Sequence, residues 1–194
     1  MSSTAVMAQV PEAPPRPRAR MTGIVYLLYF LSAISAQLLI GQNLVALGNA
    51  TNELGAALYL MLTLLFYNLF KPVNRAVSLL AALIGIGGCV VMGLGFFYPA
   101  APSINPLWFF GPYCLLIGYL VFRSTFLPHV LGVLMAFAGV GWLAFLSPAI
   151  AQHLAIYIEG LGVLAEASLM LWLIVRGVNE QRWSEQAATA RRGQ

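Results

Sequence analysis

Two carboxylates stand inside an apolar run near the C-terminal end of the chain, Glu159 and Glu166 in "IEGLGVLAEASLMLWLIVRG", Ile158 to Gly177. A carboxylate within a membrane span can take a cation, carry a proton or brace neighbouring helices. Held as a charge at the bilayer centre, it costs roughly 2.5 to 3.5 kcal/mol even on a permissive insertion scale. Helical spacing puts Glu159, Gly162 and Glu166 on one face and Leu161, Leu164 and Leu171 on another, so the face with the glycine is expected to look into a bundle. Depth separates the pair. At about 1.5 Å per residue, Glu166 lies on the order of 15 Å from Arg176, near the midplane, and Glu159 lies near the outer boundary, within reach of water. No Lys or Arg falls within a span to pair with Glu166. It is therefore expected to be protonated at neutral pH, to be hydrogen-bonded to Ser32, Ser35, Thr63 or Tyr113, or to face a water-filled cavity. A helix cross-brace and a ligand, proton or ion site are both open readings of it, with Glu159 as a secondary candidate.

Little else in the sequence offers chemistry. Aspartate is absent, and the acids are Glu12, Glu53, Glu159, Glu166, Glu180 and Glu185, which removes most carboxylate-based metal and phosphoryl chemistry. Cys89 and Cys114 sit in apolar runs without metal-ligand neighbours and read as packing residues. His129 and His153 fall at opposite ends of their helices, too far apart to share a haem or metal. There is no phosphate-binding glycine loop followed by Lys, no HExxH, no GxSxG and no CxxC. No metal site and no cofactor are expected, and an intramembrane enzyme ranks last among the functional readings.

The elements that must position Glu166 are membrane helices. A chain of 194 residues with 60% hydrophobic and 8% charged residues lies far outside the soluble range. Its net charge of +4 does not mark a nucleic-acid surface, because the cations stand at the ends of apolar segments and not on one polar face. Residues 1–20, with "VPEAPPRPRAR", read as a disordered Pro/Arg-rich cytoplasmic tail, 21–177 as a transmembrane domain, and 178–194 as a basic cytoplasmic tail. Six apolar runs fill the middle: Met21 to Gly41, Leu54 to Phe70, Ala76 to Phe97, Leu107 to Phe122, Pro128 to Leu146 and Leu154 to Val175. The second and fourth are short for a span of about 20 residues, and Pro112 interrupts the fourth.

Charge placement argues for six crossings. All ten Lys and Arg residues fall in the N-terminal tail, the second and fourth loops and the C-terminal tail, so six spans with both termini cytoplasmic put every cation on one side. The expected fold is an all-α integral membrane bundle of six transmembrane helices. The segments "YNLFK", "YLVFR" and "WLIVR" place Tyr67, Tyr119 and Trp172 one helical turn before Lys71, Arg123 and Arg176. These pairs are interfacial anchors, the ring at headgroup depth and the cation beyond it. The basic start followed by "SAISA" also resembles a signal peptide cleavable near Ser35 or Ala36. The apolar run continues through Leu38, Leu39 and Ile40, longer than such a peptide needs, so the first helix is expected to be retained. Small-residue stripes, Ser78, Ala81, Gly85 and Gly88 on the third helix and Gly132, Ala136 and Gly139 on the fifth, are expected to lie against neighbouring helices. Asn49-Ala50-Thr51 is a sequon in an expected outer loop.

Four stretches resemble the membrane protein family known as domain of unknown function 4386. They are "RMTGIVYLLYFLSAI", "LFYNLFKPVNRAVSLLAAL", "FFGPYCLLIGYLVFRSTFLPHVLGVLMAFAGVGWL" and "GLGVLAEASLMLWLIVRGV", and they run from about Arg18 to Val178. The resemblance implies a multi-helix protein of the bacterial inner membrane, matches Glu166 to a glutamate of the last-helix pattern, and leaves Glu159 unmatched. The family often has His where this chain has Tyr113, and it carries no assigned activity.

The leading expectation is a multi-pass cell-membrane protein, not an enzyme, that binds or transports a small amphiphilic or cationic molecule in a cavity near Glu166, with Tyr113, Ser32, Ser35 and Thr63 as polar neighbours. The alternative is a structural or accessory subunit docking a membrane protein partner or a second copy of itself. The lipid bilayer is the expected surrounding partner, and nucleic acid is excluded.

Overall fold

The structure is a computed structural model that describes residues 14–97 and 104–192. The described residues form seven helices and no strand: α1 (Pro15–Gly41), α2 (Val45–Phe70), α3 (Arg75–Phe97), α4 (Leu107–Arg123), α5 (His129–Ala144), α6 (Pro148–Val175) and α7 (Glu180–Arg192). Hydropathy locates hydrocarbon depth, whereas the helices run on into polar sequence. Thus α1 begins at Pro15, because proline in a first helical turn lacks only an N–H that would have no intrahelical acceptor. Pro15 to Arg20, assigned above to a disordered tail, are therefore helical, and Ala19 is completely buried; residues 1–13 of that tail lie outside the described residues. Likewise α2 starts at Val45, carrying Asn49, Thr51 and Glu53 on its first turns, so the sequon lies on a helix and not in a loop. The short turn between α1 and α2 needs a left-handed residue, supplied by Asn43 at φ 63.

Four helices, α1, α2, α3 and α6, are long and apolar enough to cross a membrane, and α4 and α5, apolar but only 17 and 16 residues long, lie at or below the usual limit. Each of α1 to α6 packs on the next, and α6 returns to α1, so the six close into a ring. α4 and α5 approach backbone to backbone: a Cβ on Gly118 would lie 2.8 Å from the Ala136 nitrogen, and one on Gly139 would lie 2.9 Å from the Gly111 carbonyl. Ser78, Ala81, Gly85 and Gly88 are all buried, as their spacing requires. A Cβ on Gly85 would come within 2.9 Å of Thr63 and 3.0 Å of Tyr113, and one on Gly88 within 2.7 Å of Phe110. Gly85→Leu and Gly88→Leu should each cost about 1–3 kcal/mol and lower the melting temperature in detergent. Parental melting of both variants would mean that α3 packs elsewhere.

The described Lys and Arg residues gather at one end of the ring. The Arg20 guanidinium donates to the Val175 carbonyl at 3.5 Å, bringing the start of α1 to the end of α6. The basic C-terminal segment is no free tail at this end, since α7 is docked there by buried Trp183, whose Nε1–H donates to the Leu69 carbonyl at 3.0 Å. That carbonyl belongs to the last turn of α2, where no intrahelical N–H is available to it. Gln186 and Arg182 add hydrogen bonds to Thr125 on the connection between α4 and α5.

Candidate functional site

Glu166 lies on the buried face of α6 with Gly162, Ala165 and Leu169, and it is only 8% exposed. Its Oε2 accepts from the Tyr26 hydroxyl of α1 at 2.8 Å, and its Oε1 accepts from the Trp142 Nε1–H of α5 at 3.4 Å. Two glycines set this geometry. At Gly23 a Cβ would lie 2.9 Å from the Ile174 nitrogen, so α1 can come close to α6 and bring Tyr26 onto the carboxylate. At Gly162 a Cβ would fall 2.5 Å from the Trp142 ring, so the indole occupies the space one turn before Glu166.

From Tyr26 a cluster of aromatic rings extends across the bundle. Tyr26 lies 6.3 Å from Tyr29 and meets Phe66 edge-on at 5.9 Å; Tyr29 meets Tyr59 at 4.8 Å, and Tyr59 lies 5.7 Å from Tyr113. Such offset and edge-on contacts favour fixed ring positions. The Tyr113 hydroxyl is buried without a hydrogen-bond partner. Thr63 lies near Tyr113 across Gly85, but its own hydroxyl donates to the Tyr59 carbonyl at 2.9 Å. The pair do not meet in hydrogen-bond geometry.

The partners of Glu166 are thus not the hydroxyls suggested by the sequence. Ser32 is buried but donates to the Tyr29 carbonyl within its own helix at 2.8 Å, and Ser35 is exposed on α1. Serine and threonine on helices satisfy themselves on the preceding turn, whereas the tyrosine hydroxyl and indole N–H sit at the ends of long rigid side chains that reach across to another helix. Tyr26 and Trp142 went unrecognised because an aromatic residue in an apolar run also reads as packing or an interfacial ring. Glu159 is exposed and does not share the buried face. In α6, Ile158 is the one buried residue before Gly162, so that end of the helix lacks the cover that encloses Glu166.

The anchor residues occupy the basic end. The Arg176 guanidinium carbon lies 5.9 Å from the centre of the Trp172 ring, Tyr119 and Arg123 are exposed, and Tyr67 and Lys71 share the wall of one cavity. Among the described residues no group of three or more His, Cys, Asp or Glu side chains could hold a metal ion.

An all-helical bundle with four long apolar helices and an enclosed glutamate defines a helical membrane protein. Residues 100–177 match the family model described as Domain of unknown function (DUF4386), the family that the sequence resembles. The matched stretch contains the whole of α4, α5 and α6, including Trp142 and Glu166; Tyr26 lies outside it. No curated protein and no solved structure matches the chain.

Proposed function

We propose that this chain is a six-span protein of the bacterial cell membrane, with both termini cytoplasmic, that binds and moves a small organic cation at Glu166. The observation that carries this reading is a buried carboxylate held by two neutral donors, Tyr26 and Trp142, the first of which opens a chain of contacting tyrosine rings. A carboxylate flanked by aromatic faces suits an organic ammonium, which gains from both the charge and the ring quadrupoles. No side chain of the bundle interior carries the complementary charge, since every Lys and Arg lies at 16–20, 71–75, 123 or 176 and beyond. A proton serves as that complement when no cation is bound, so proton and ligand compete for one group.

Helix order supports movement of the ligand as well as binding. The halves α1 to α3 and α4 to α6 have the same neighbour pattern, first on second and second on third, and they meet along α3–α4 and α1–α6. With three crossings each, the second half is threaded inverted to the first, an arrangement in which rocking at the seam exposes a central site to either side. Glu166 and Tyr26 face each other across the α1–α6 seam. The glycines that could have docked a partner, Gly85, Gly88, Gly132 and Gly139, are used within the bundle, which favours the ligand reading over an accessory subunit.

The test is equilibrium binding of a radiolabelled tetraalkylammonium ion to the protein in nanodiscs, from pH 5.5 to 8.5. Binding should weaken as pH falls, because protonation removes the attracting charge, and Glu166→Gln should lose at least about tenfold in affinity together with the pH dependence. Equal binding by the parent and Glu166→Gln, at every pH, would reject the site.

Threading has its own test. Single cysteines at Asn43 and Ser147, in a background lacking Cys89 and Cys114, should react with an impermeant maleimide added outside intact cells. Cysteines at Asn74 and Thr125 should react only after lysis. Labelling of Thr125→Cys in intact cells would exclude six spans in this orientation.

A further inference from the structure

The turn between α6 and α7 brings two guanidiniums and a carboxylate around one space. Gly177 makes that turn in the left-handed region at φ 68, and its N–H donates to the Trp172 carbonyl at 3.0 Å. The Asn179 N–H then donates to the Phe126 carbonyl at 3.3 Å, and the Asn179 side chain accepts from the Arg182 N–H at 3.1 Å, which fixes where α7 begins. Arg176, the C-cap of α6, and Glu180, in the first turn of α7, are thereby set on the wall of a cavity of about 440 Å³. Arg16 of α1 completes the wall. A Cβ on Gly177 would lie 3.0 Å from the Arg16 Cγ, so the arginine stem crosses the turn where no side chain stands. A cation at the end of α6 and a carboxylate at the start of α7 are each favoured by their own helix dipole. Arg176 rests on the Trp172 ring, and among the described residues no ion pair joins Glu180 to Arg16 or Arg176. Opposite charges thus face one space of a size that holds a small ligand without neutralising each other directly.

We infer that this cavity is a binding site for a phosphoethanolamine group, with its phosphate oxygens on Arg16 and Arg176 and its primary ammonium on Glu180. A zwitterion answers both signs at once, whereas a plain anion would meet Glu180 and a plain cation would meet two guanidiniums. Arginine forks suit phosphate oxygens, and an ammonium with three N–H donors suits a carboxylate. A choline headgroup has the same charges but no N–H to donate, and the Trp172 ring on which its trimethylammonium would rest already carries Arg176. Trp172 and Arg176 are also one of the interfacial pairs, which suits the depth of lipid headgroups. Phosphatidylethanolamine and soluble phosphoethanolamine offer the same chemistry. Binding would tie the start of α1 to the α6–α7 turn and stabilise the folded chain, since the unfolded chain has no such site. This inference is independent of the reading of Glu166.

The full-length protein is placed in nanodiscs of phosphatidylcholine alone, with added phosphatidylethanolamine, with added phosphatidylglycerol, or with millimolar phosphoethanolamine in the buffer. Phosphatidylethanolamine should raise the melting temperature by about 4 °C over phosphatidylcholine, and phosphatidylglycerol should raise it less. Arg16→Gln with Arg176→Gln should remove the rise, Glu180→Gln should reduce it to that of phosphatidylglycerol, and Arg123→Gln, outside the cavity, should keep it. A rise with soluble phosphoethanolamine alone, removed by the same double variant, supports the site and identifies the soluble ester as its ligand. No rise with either form of phosphoethanolamine, an equal rise with phosphatidylglycerol, or a full rise that persists in the double variant or in Glu180→Gln overturns the inference. Should the variants not fold, native mass spectrometry of the parent decides, with preferential retention of phosphatidylethanolamine expected and equal retention of the three lipids overturning the site.

Discussion

Replacing Gly132 by Leu should separate α4 from α5 and cause the largest loss of stability of any single substitution proposed for this chain. A Cβ at Gly132 would lie 2.6 Å from the Phe122 nitrogen and 2.7 Å from the Gly118 carbonyl oxygen. Both are main-chain atoms of α4, so no side-chain rotation can make room. In lipid no hydrophobic gradient drives helices together, and their association depends on the close packing that small residues permit. Overpacking ordinarily costs about 1–3 kcal/mol, and here the obstacle is backbone, so the loss should reach or exceed the upper figure. Gly132→Ala already adds the offending atom and should lose a smaller but measurable amount. Gly160→Leu is the control, because nothing lies within 4 Å of the corresponding position. Thermal melting in detergent distinguishes them, and a Gly132→Leu protein as stable as the Gly160→Leu control would mean that α4 and α5 do not touch as described.

Glu166→Leu should produce the second largest effect, a loss of about 2 kcal/mol that Glu166→Gln does not share. Leucine leaves the buried Tyr26 hydroxyl and the Trp142 N–H without their acceptor, and an unsatisfied buried donor costs about 1–3 kcal/mol. Glutamine can turn its carbonyl oxygen to Trp142 and its amide to the Tyr26 oxygen, so both contacts survive in altered form. Tyr26→Phe should be milder than Glu166→Leu, because a hydrogen bond between membrane helices averages about 0.6 kcal/mol in measured cycles. Its effect should disappear when introduced into Glu166→Leu, where the bond is already gone. Additive losses in the double variant would show that Tyr26 and Glu166 are not coupled. Because Glu166→Gln preserves packing while removing the charge, comparing its stability with its cation binding separates a brace from a ligand site.

The sequence by itself determined the helical membrane class and the location of the apolar helices, because about 20 consecutive apolar residues have few other homes. It also singled out Glu166, since an ionisable group is costly at that depth, and the small-residue face of α3, since helical periodicity alone places Ser78, Ala81, Gly85 and Gly88 in one line. It missed the polar extensions of α1 and α2, where helix continues beyond hydrophobic sequence, and the docking of α7, whose hold on the bundle is one buried tryptophan reaching the carbonyl of Leu69. Only the tertiary structure decided the company of Glu166. Tyr26 stands 140 residues away in the chain and Trp142 stands 24 away. What brings them together is the closure of the ring, α6 against α1, and the absence of side chains at Gly23 and Gly162. Glu159 shares the nominal helical face of Glu166 but is left exposed, because periodicity gives direction around one helix and says nothing about whether a neighbour lies along that direction.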